Sequence, residues 1–352
     1  MKKSTCLLLS VLSLATLFSC KDGSNPLLPH ATGVPYELLV VMNKAQWNAP
    51  AGRTLFEILN SDVPGLPQSE PQFRLSYTPP DGFKNIYKSV RSIIIANIDP
   101  QQFTKAKMSF SRELWANGQM VLTINAPNAA SFEQYVLTNE KNIIKLFVDN
   151  ELGLSKKYLE KKYNKSESKR LKDHLDIQMC IPMALNKSKV SEGFFWVSNA
   201  AGKKRQDIVA YAYPYTDRET FTVDYLIRKR DSVMKANMPG GPEGSFMGTQ
   251  QAWIPDSSVV TVDGKYCMEL RGLWEVVGDN MGGPFVSHTQ IDELNNRVIT
   301  VEAFVYEPGE KKRNLMRILE SALYTVKMPV KEEPQAIKNT AKVTSSDSLK
   351  QE

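Results

Sequence analysis

Apolar positions along this chain follow two patterns, and the change comes near the middle. Residues 36–42 (YELLVVM) and 92–98 (SIIIANI) are short, almost unbroken apolar runs, as expected of strands buried on both faces. Further strands are expected near 73–77 and 120–125. Helical spacing over 47–61 brings Leu55, Phe56 and Leu59 to one side. A short helix is expected over 104–115. A longer one over 131–150 opens with a Ser131/Gln134 capping box and turns Val136, Ile143, Ile144 and Phe147 inward. Pro64, Pro67 and Pro71 mark a loop, and Pro79-Pro80-Asp81-Gly82 a turn.

Beyond residue 190 the pattern becomes alternating and aromatic. Strands are expected at 194–198, 208–215, 259–262, 266–277, 285–291 and 298–306, with helices over 218–235 and 310–324. In 266–277, Tyr266, Met268, Leu270, Trp274 and Val276 fall on one side and Glu269, Arg271 and Glu275 on the other. That alternation predicts an antiparallel sheet with one wet face. The fold class is therefore α+β: an N-terminal α/β half (35–176) with buried central strands, then a C-terminal half (177–328) with an antiparallel meander and packed helices. Residues 329–352 have few apolar positions and read as a disordered tail.

The first residues carry an address. Lys2 and Lys3 precede a short apolar stretch, Leu7 to Phe18, and Leu17-Phe18-Ser19-Cys20 ends it. The stretch is too short to span a bilayer and reads as a secretory signal over 1–19. Its end resembles the lipobox of bacterial lipoprotein precursors. That resemblance implies cleavage before Cys20, a diacylglyceryl thioether on its sulfur and acylation of the new α-amine. The membrane partner is then the lipid anchor at Cys20, followed by a tether over 20–34 with a reach of about 20 Å. Lys21 after the cysteine fits outer-membrane sorting, and a periplasmic orientation is favoured over the cell surface.

Composition changes this picture little. With 42% hydrophobic and 23% charged residues the chain is globular, and a formal charge of +6 over 352 residues does not announce a nucleic-acid partner. The charge is uneven, because eight basic and two acidic residues lie between Lys156 and Lys172. We read this stretch as the solvated face of a helix whose Leu154, Tyr158, Leu159 and Tyr163 pack inward, in preference to a membrane-surface helix. After processing, Cys180 and Cys267 remain. An oxidising compartment permits a disulfide, but both sit in apolar contexts that suit unpaired thiols, and two thiols are the favoured reading.

One wider resemblance covers residues 34–328. The lipobox, Pro35-Tyr36-Glu37-Leu38-Leu39-Val40-Val41, the Pro64-Gly65-Leu66-Pro67 loop, Arg271-Gly272-Leu273-Trp274 and Met281-Gly282-Gly283-Pro284-Phe285 together resemble a family of Bacteroidota outer-membrane lipoproteins classed as a domain of unknown function. It implies lipoprotein identity and supplies no activity or catalytic residue. Asp231-Ser232-Val233 and Asp347-Ser348-Leu349 also resemble the three-residue O-glycosylation signal of that phylum, making Ser348 and Ser232 candidate acceptors.

Chemistry is thinly signalled. There is no Walker loop, GxGxxG, HExxH or GxSxG, and no Cys/His spacing for zinc, so neither cofactor nor metal is expected. Of three histidines, His30 lies in the tether and His174 ends the basic stretch. If 278–283 is a turn, His288 faces Leu273 and lies diagonal to Glu275, on the same sheet face as Arg271 and Glu269. The glycine-rich loops 238–248 and 278–285 read as places where backbone can approach a ligand. The candidate binding surface is Phe246, Met247, Arg271, Trp274, Glu275, Met281, Gly282, Gly283, Phe285 and His288. The expected activity is non-catalytic binding of an envelope protein or glycan. The alternative is a hydrolase of cell-wall or glycan substrate using carboxylates such as Glu243, Glu275 or Asp279.

Overall fold

The computed structural model describes residues 27–331. Cys20 and Ser348, with the signal segment and most of the C-terminal tail, lie outside the described residues. The elements in chain order are β1 (Glu37–Met42), α1 (Lys44–Trp47), α2 (Pro50–Leu59), β2 (Arg74–Thr78), α3 (Asn85–Lys88), β3 (Ser92–Ile98), β4 (Lys107–Arg112), β5 (Met120–Ala126) and α4 (Ala129–Thr138). There follow α5 (Glu140–Lys161), α6 (Lys165–Leu175), β6 (Lys187–Ser191), β7 (Phe194–Ser198), β8 (Arg205–Pro214) and α7 (Val223–Asn237). The chain continues through β9 (Phe246–Thr249), β10 (Asp256–Val262), β11 (Lys265–Val277), β12 (Gly282–Asp292), β13 (Arg297–Tyr306) and α8 (Arg313–Leu323). Two compact units form. One takes residues up to 56 and 73–140; the other takes 57–72 and 141 onward.

The first unit is built on a mixed sheet of order β2-β1-β3-β5-β4. The two apolar runs read from the sequence are its adjacent central strands, paired in parallel from Leu39–Ile93 to Met42–Ala96. Leu39, Val41, Ile93 and Val121 cluster on one face with Phe83 and Trp115 against them. Residues 107–112 form an antiparallel edge strand on β5, where a helix was expected. Ser109, Phe110 and Ser111 are exposed, so helical spacing there reflected no buried stripe, and pairing with β5 decided the conformation. The expected capping box is also displaced. Asn128 caps α4 by accepting from Ser131 N, and the helix ends at Thr138 before α5 begins. Phe56, expected inward on α2, is 41% exposed, while Ala51, Leu55 and Leu59 are buried. Residues 28–32, read as tether, are held along this unit by bonds such as Ala31 N to Asn117 O and Thr32 N to Ser89 O.

The second unit carries an eight-stranded antiparallel sheet, β10-β11-β12-β13-β8-β7-β6, with β9 continuing beside the far end of β11. Both faces are covered, which corrects the expectation of a wet one. Val286, Ile299, Val301, Ala303 and Ile208 pack with Leu171 and Leu175 of α6 and Met316, Leu319 and Leu323 of α8. On the opposite face Trp274, Phe285, Val298, Phe304 and Tyr211 pack with Leu226 and Met234 of α7. Tyr158, expected inward in the basic stretch, is 61% exposed, and that stretch is divided between α5 and α6. The 57–72 segment serves this unit. The Glu70 carboxylate accepts from the backbone N–H of Lys312 and of Arg313 at 2.6 and 3.0 Å, capping the start of α8. Cys180 and Cys267 are unpaired thiols.

Candidate functional site

The β11–β12 hairpin determines which side chains meet. Its register pairs Glu275 with Gly282, Leu273 with Pro284 and Glu269 with His288, four residues away from the expected register. The loop closes over fewer residues than expected, because Gly282, Gly283 and Pro284 belong to the strand. An even slip preserves which face each side chain occupies. His288 therefore shares a face with Glu269 and Arg271, as expected, but its direct neighbour is Glu269, not Leu273.

Around that pair the helical face holds a chain of charges. His288 Nε2 donates to Glu269 Oε2 at 3.0 Å. Arg271 grips Glu269 through Nε (2.7 Å) and Nη2 (3.0 Å) and reaches Glu320 of α8 with the same guanidinium. Tyr324 sets its ring edge-on to His288 at 4.7 Å. Burial pushes the Glu269 carboxyl up, but Arg271 and His288 overcome this and hold it well below the usual carboxylate range. Only Arg271, at 21% side-chain exposure, opens outward. It lines a cleft of about 320 Å³ with Arg317, Lys141, Lys145 and Glu320. His288 is buried and its Nδ1 has no hydrogen-bond partner among the described residues.

A second cleft, of about 400 Å³, lies at the turn end of the same hairpin. Pro67, Gln250, Leu273, Trp274, Glu275 and Asp279 to Gly283 line it. Five of the expected surface residues contribute: Trp274, Glu275, Met281, Gly282 and Gly283. The others are elsewhere. Met247 and Phe285 are core residues of the α7 face, and Phe246 lies under the Lys235 ammonium at 4.6 Å. Trp274 is itself mostly core, packed edge-on to Phe304, and its Nε1 has no hydrogen-bond partner among the described residues. Glu243 is exposed in the turn before β9 and is not among the lining residues. Ser232 is exposed on α7, and the neighbouring Asp231 accepts from Thr249 N and Oγ1 at 2.7 Å each.

The paired glycines are explained by the protein's own backbone. A Cβ on Gly283 would sit 2.1 Å from the Val305 carbonyl oxygen, and one on Gly282 would sit 2.9 Å from that of Trp274. They permit close strand approach; the space beside them is already filled. Gln250 was not singled out in the sequence, and Asn280, Leu273 and Pro67 were read there only as members of a loop or motif, because Gln250, Asn280 and Pro67 reach the cleft from loops with no periodic pattern.

Under α7, sequence reading missed a buried ion pair altogether. Arg230 Nε and Nη2 bond Glu302 at 2.8 and 2.7 Å, Nη1 bonds Thr249 at 3.0 Å, and the guanidinium lies 4.0 Å from the Phe285 ring centre. The available signal was a lone Glu302 within the apolar run 298–305. Among the described residues no group of His, Cys, Asp and Glu side chains could hold a metal ion, and no helix is long and apolar enough to cross a membrane.

Among solved structures, a single-residue mutant of Protein Mog1 is 9% identical, with 43% of this chain and 90% of that one covered, at a TM-score of 0.29. The Saccharomyces cerevisiae Ran-binding protein Mog1p is 8% identical over 43% and 89%, also at 0.29. Likenesses this weak bear on neither fold nor function. No curated protein sequence is similar to the chain. Residues 31–160 match the family model described as domain of unknown function DUF8532, and residues 164–325 match that of DUF4837.

Proposed function

We propose that this chain is a lipid-anchored envelope protein of the bacterial outer membrane, facing the periplasm, that binds a glycan without turning it over. The lipobox ending in Cys20 supports the anchor. The observation carrying the binding part is the composition of the 400 Å³ cleft. Gln250, Glu275, Asp279 and Asn280 present amide and carboxylate groups suited to sugar hydroxyls. Leu273, Met281 and Pro67 present apolar surface suited to the C–H faces of a ring. Buried carboxylates of the sheet and of α8 are otherwise engaged: Glu302 by Arg230, Glu269 and Glu320 by Arg271, Asp207 by Arg205 and Asp292 by Arg297.

Two experiments test the two parts. A Cys20→Ala chain should leave the membrane fraction; its retention there sinks the anchor. Wild-type protein should co-sediment with isolated cell-wall glycan, and Asn280→Trp, which fills the cleft from an exposed position, should abolish this. Unchanged co-sedimentation removes the cleft from consideration. A hydrolase is the second reading, because Glu275 and Asp279 line the same cleft. It requires release of reducing ends that Glu275→Gln abolishes while binding persists.

A further inference from the structure

The solvated face of the basic stretch has a shape, because its helix α6 forms one wall of a cleft of about 500 Å³, open to solvent, within the second unit. Lys165, Lys169 and Lys172 line it from that helix at spacings of i, i+4 and i+7. Like charges so spaced destabilise a helix, while Leu171 and Leu175 turn the other way into the core. Lys327 lines the cavity from another segment, fixed by its two-way backbone bridge with Gln178 at 3.0 and 2.9 Å. The walls are tied together. Ser168 accepts from Ile181 N at 3.1 Å, Thr325 accepts from Cys180 N at 2.9 Å, and Asn164 caps α6.

The balance of charge inside is positive. Among the described residues Glu160 is the one acidic lining residue, and Lys156 pairs with it at 3.0 Å. Lys169 pairs with Asp173, whereas Lys165, Lys172 and Lys327 make no ion pair among the described residues. Every lining cation is a lysine. An ammonium binds a phosphate group as a point charge. The volume is that of a small-molecule site.

We propose that the cavity between α6 and the Gln178–Lys327 bridge is an anion site that takes a phosphate group, free or carried on a lipid headgroup. Because Cys180 also lines the cavity as an unpaired thiol, occupancy can be read directly. The measurement is the rate of iodoacetamide alkylation at Cys180 in the full-length protein, followed by peptide mass spectrometry. It is run with inorganic phosphate, with phosphatidylcholine vesicles, and with vesicles also containing phosphatidylglycerol. Protection by inorganic phosphate identifies a free ligand; protection only by the phosphatidylglycerol vesicles identifies a headgroup. A Lys172→Ala, Lys327→Ala variant should weaken protection about 30-fold, and Lys172→Arg, Lys327→Arg should restore it. A charge-matched Lys157→Ala, Lys161→Ala variant, altered outside the cavity, should protect like wild type. Alkylation unaffected by any of the three additions overturns the proposal, as does an equal loss in the two alanine variants.

Discussion

Replacing Arg230 by methionine leaves Glu302 fully buried with its one cationic partner among the described residues removed, since the two side chains are 1% and 0% exposed. Breaking a buried pair from one side costs about 3–5 kcal/mol. The carboxyl can limit that cost by folding protonated. Taking up a proton at about pH 7 against an unfolded value of about 4.3 costs about 3.7 kcal/mol, at 1.36 kcal/mol per unit. Burial already pushes Glu302 up in the native protein, opposed by Arg230; without the arginine it rises further. The sign follows: the defect is largest at neutral pH and shrinks by about 2.7 kcal/mol on going from about pH 7 to about pH 5. Replacing both members, as Arg230→Met with Glu302→Leu, removes the stranded charge and should recover most of the loss. The assay is hydrogen exchange of β11–β13 peptides, read as the ratio of variant to wild-type rates at each pH. It reports on this unit alone, which matters in a chain with two units. We expect acceleration of about 100- to 5000-fold at neutral pH. Acceleration below about tenfold, or a double variant as impaired as the single one, refutes the argument.

Glu269, held ionised by Arg271 and His288, contributes stability that is present above about pH 4.3 and lost as pH falls further, because only the unfolded chain then takes up the proton. Urea midpoints should therefore fall less steeply with acid in Glu269→Gln than in wild type; equal slopes contradict this. Gly283→Ala should cost about 3 kcal/mol through its collision with the Val305 carbonyl. Gly241→Ala, whose nearest neighbour would be 3.8 Å away, should lie within about 0.5 kcal/mol of wild type in thermal melting. Native alkylation should modify Cys180 and spare Cys267, which is fully buried and whose thiol burial pushes up to about 12; labelling of both at similar rates contradicts the packing.

Periodicity alone was enough for the α+β class and for β1, β3 and β5, because a strand buried on both faces must be apolar along its whole length. It was also enough to place Glu269, Arg271 and His288 on one side of their sheet, since a pleat of period two survives an even error in register. It could not say that this side is covered. Glu269 and Arg271 look like solvent-facing residues until α8 brings Glu320 against them from 49 positions away. In the same way, Gly282 and Gly283 look like room for a ligand until Val305 and Trp274 are seen filling it. The chain's alternation of polar and apolar residues determined which way each side chain points. Only the tertiary structure decided what it meets there, because burial and charge pairing depend on elements distant in sequence whose approach leaves no local mark.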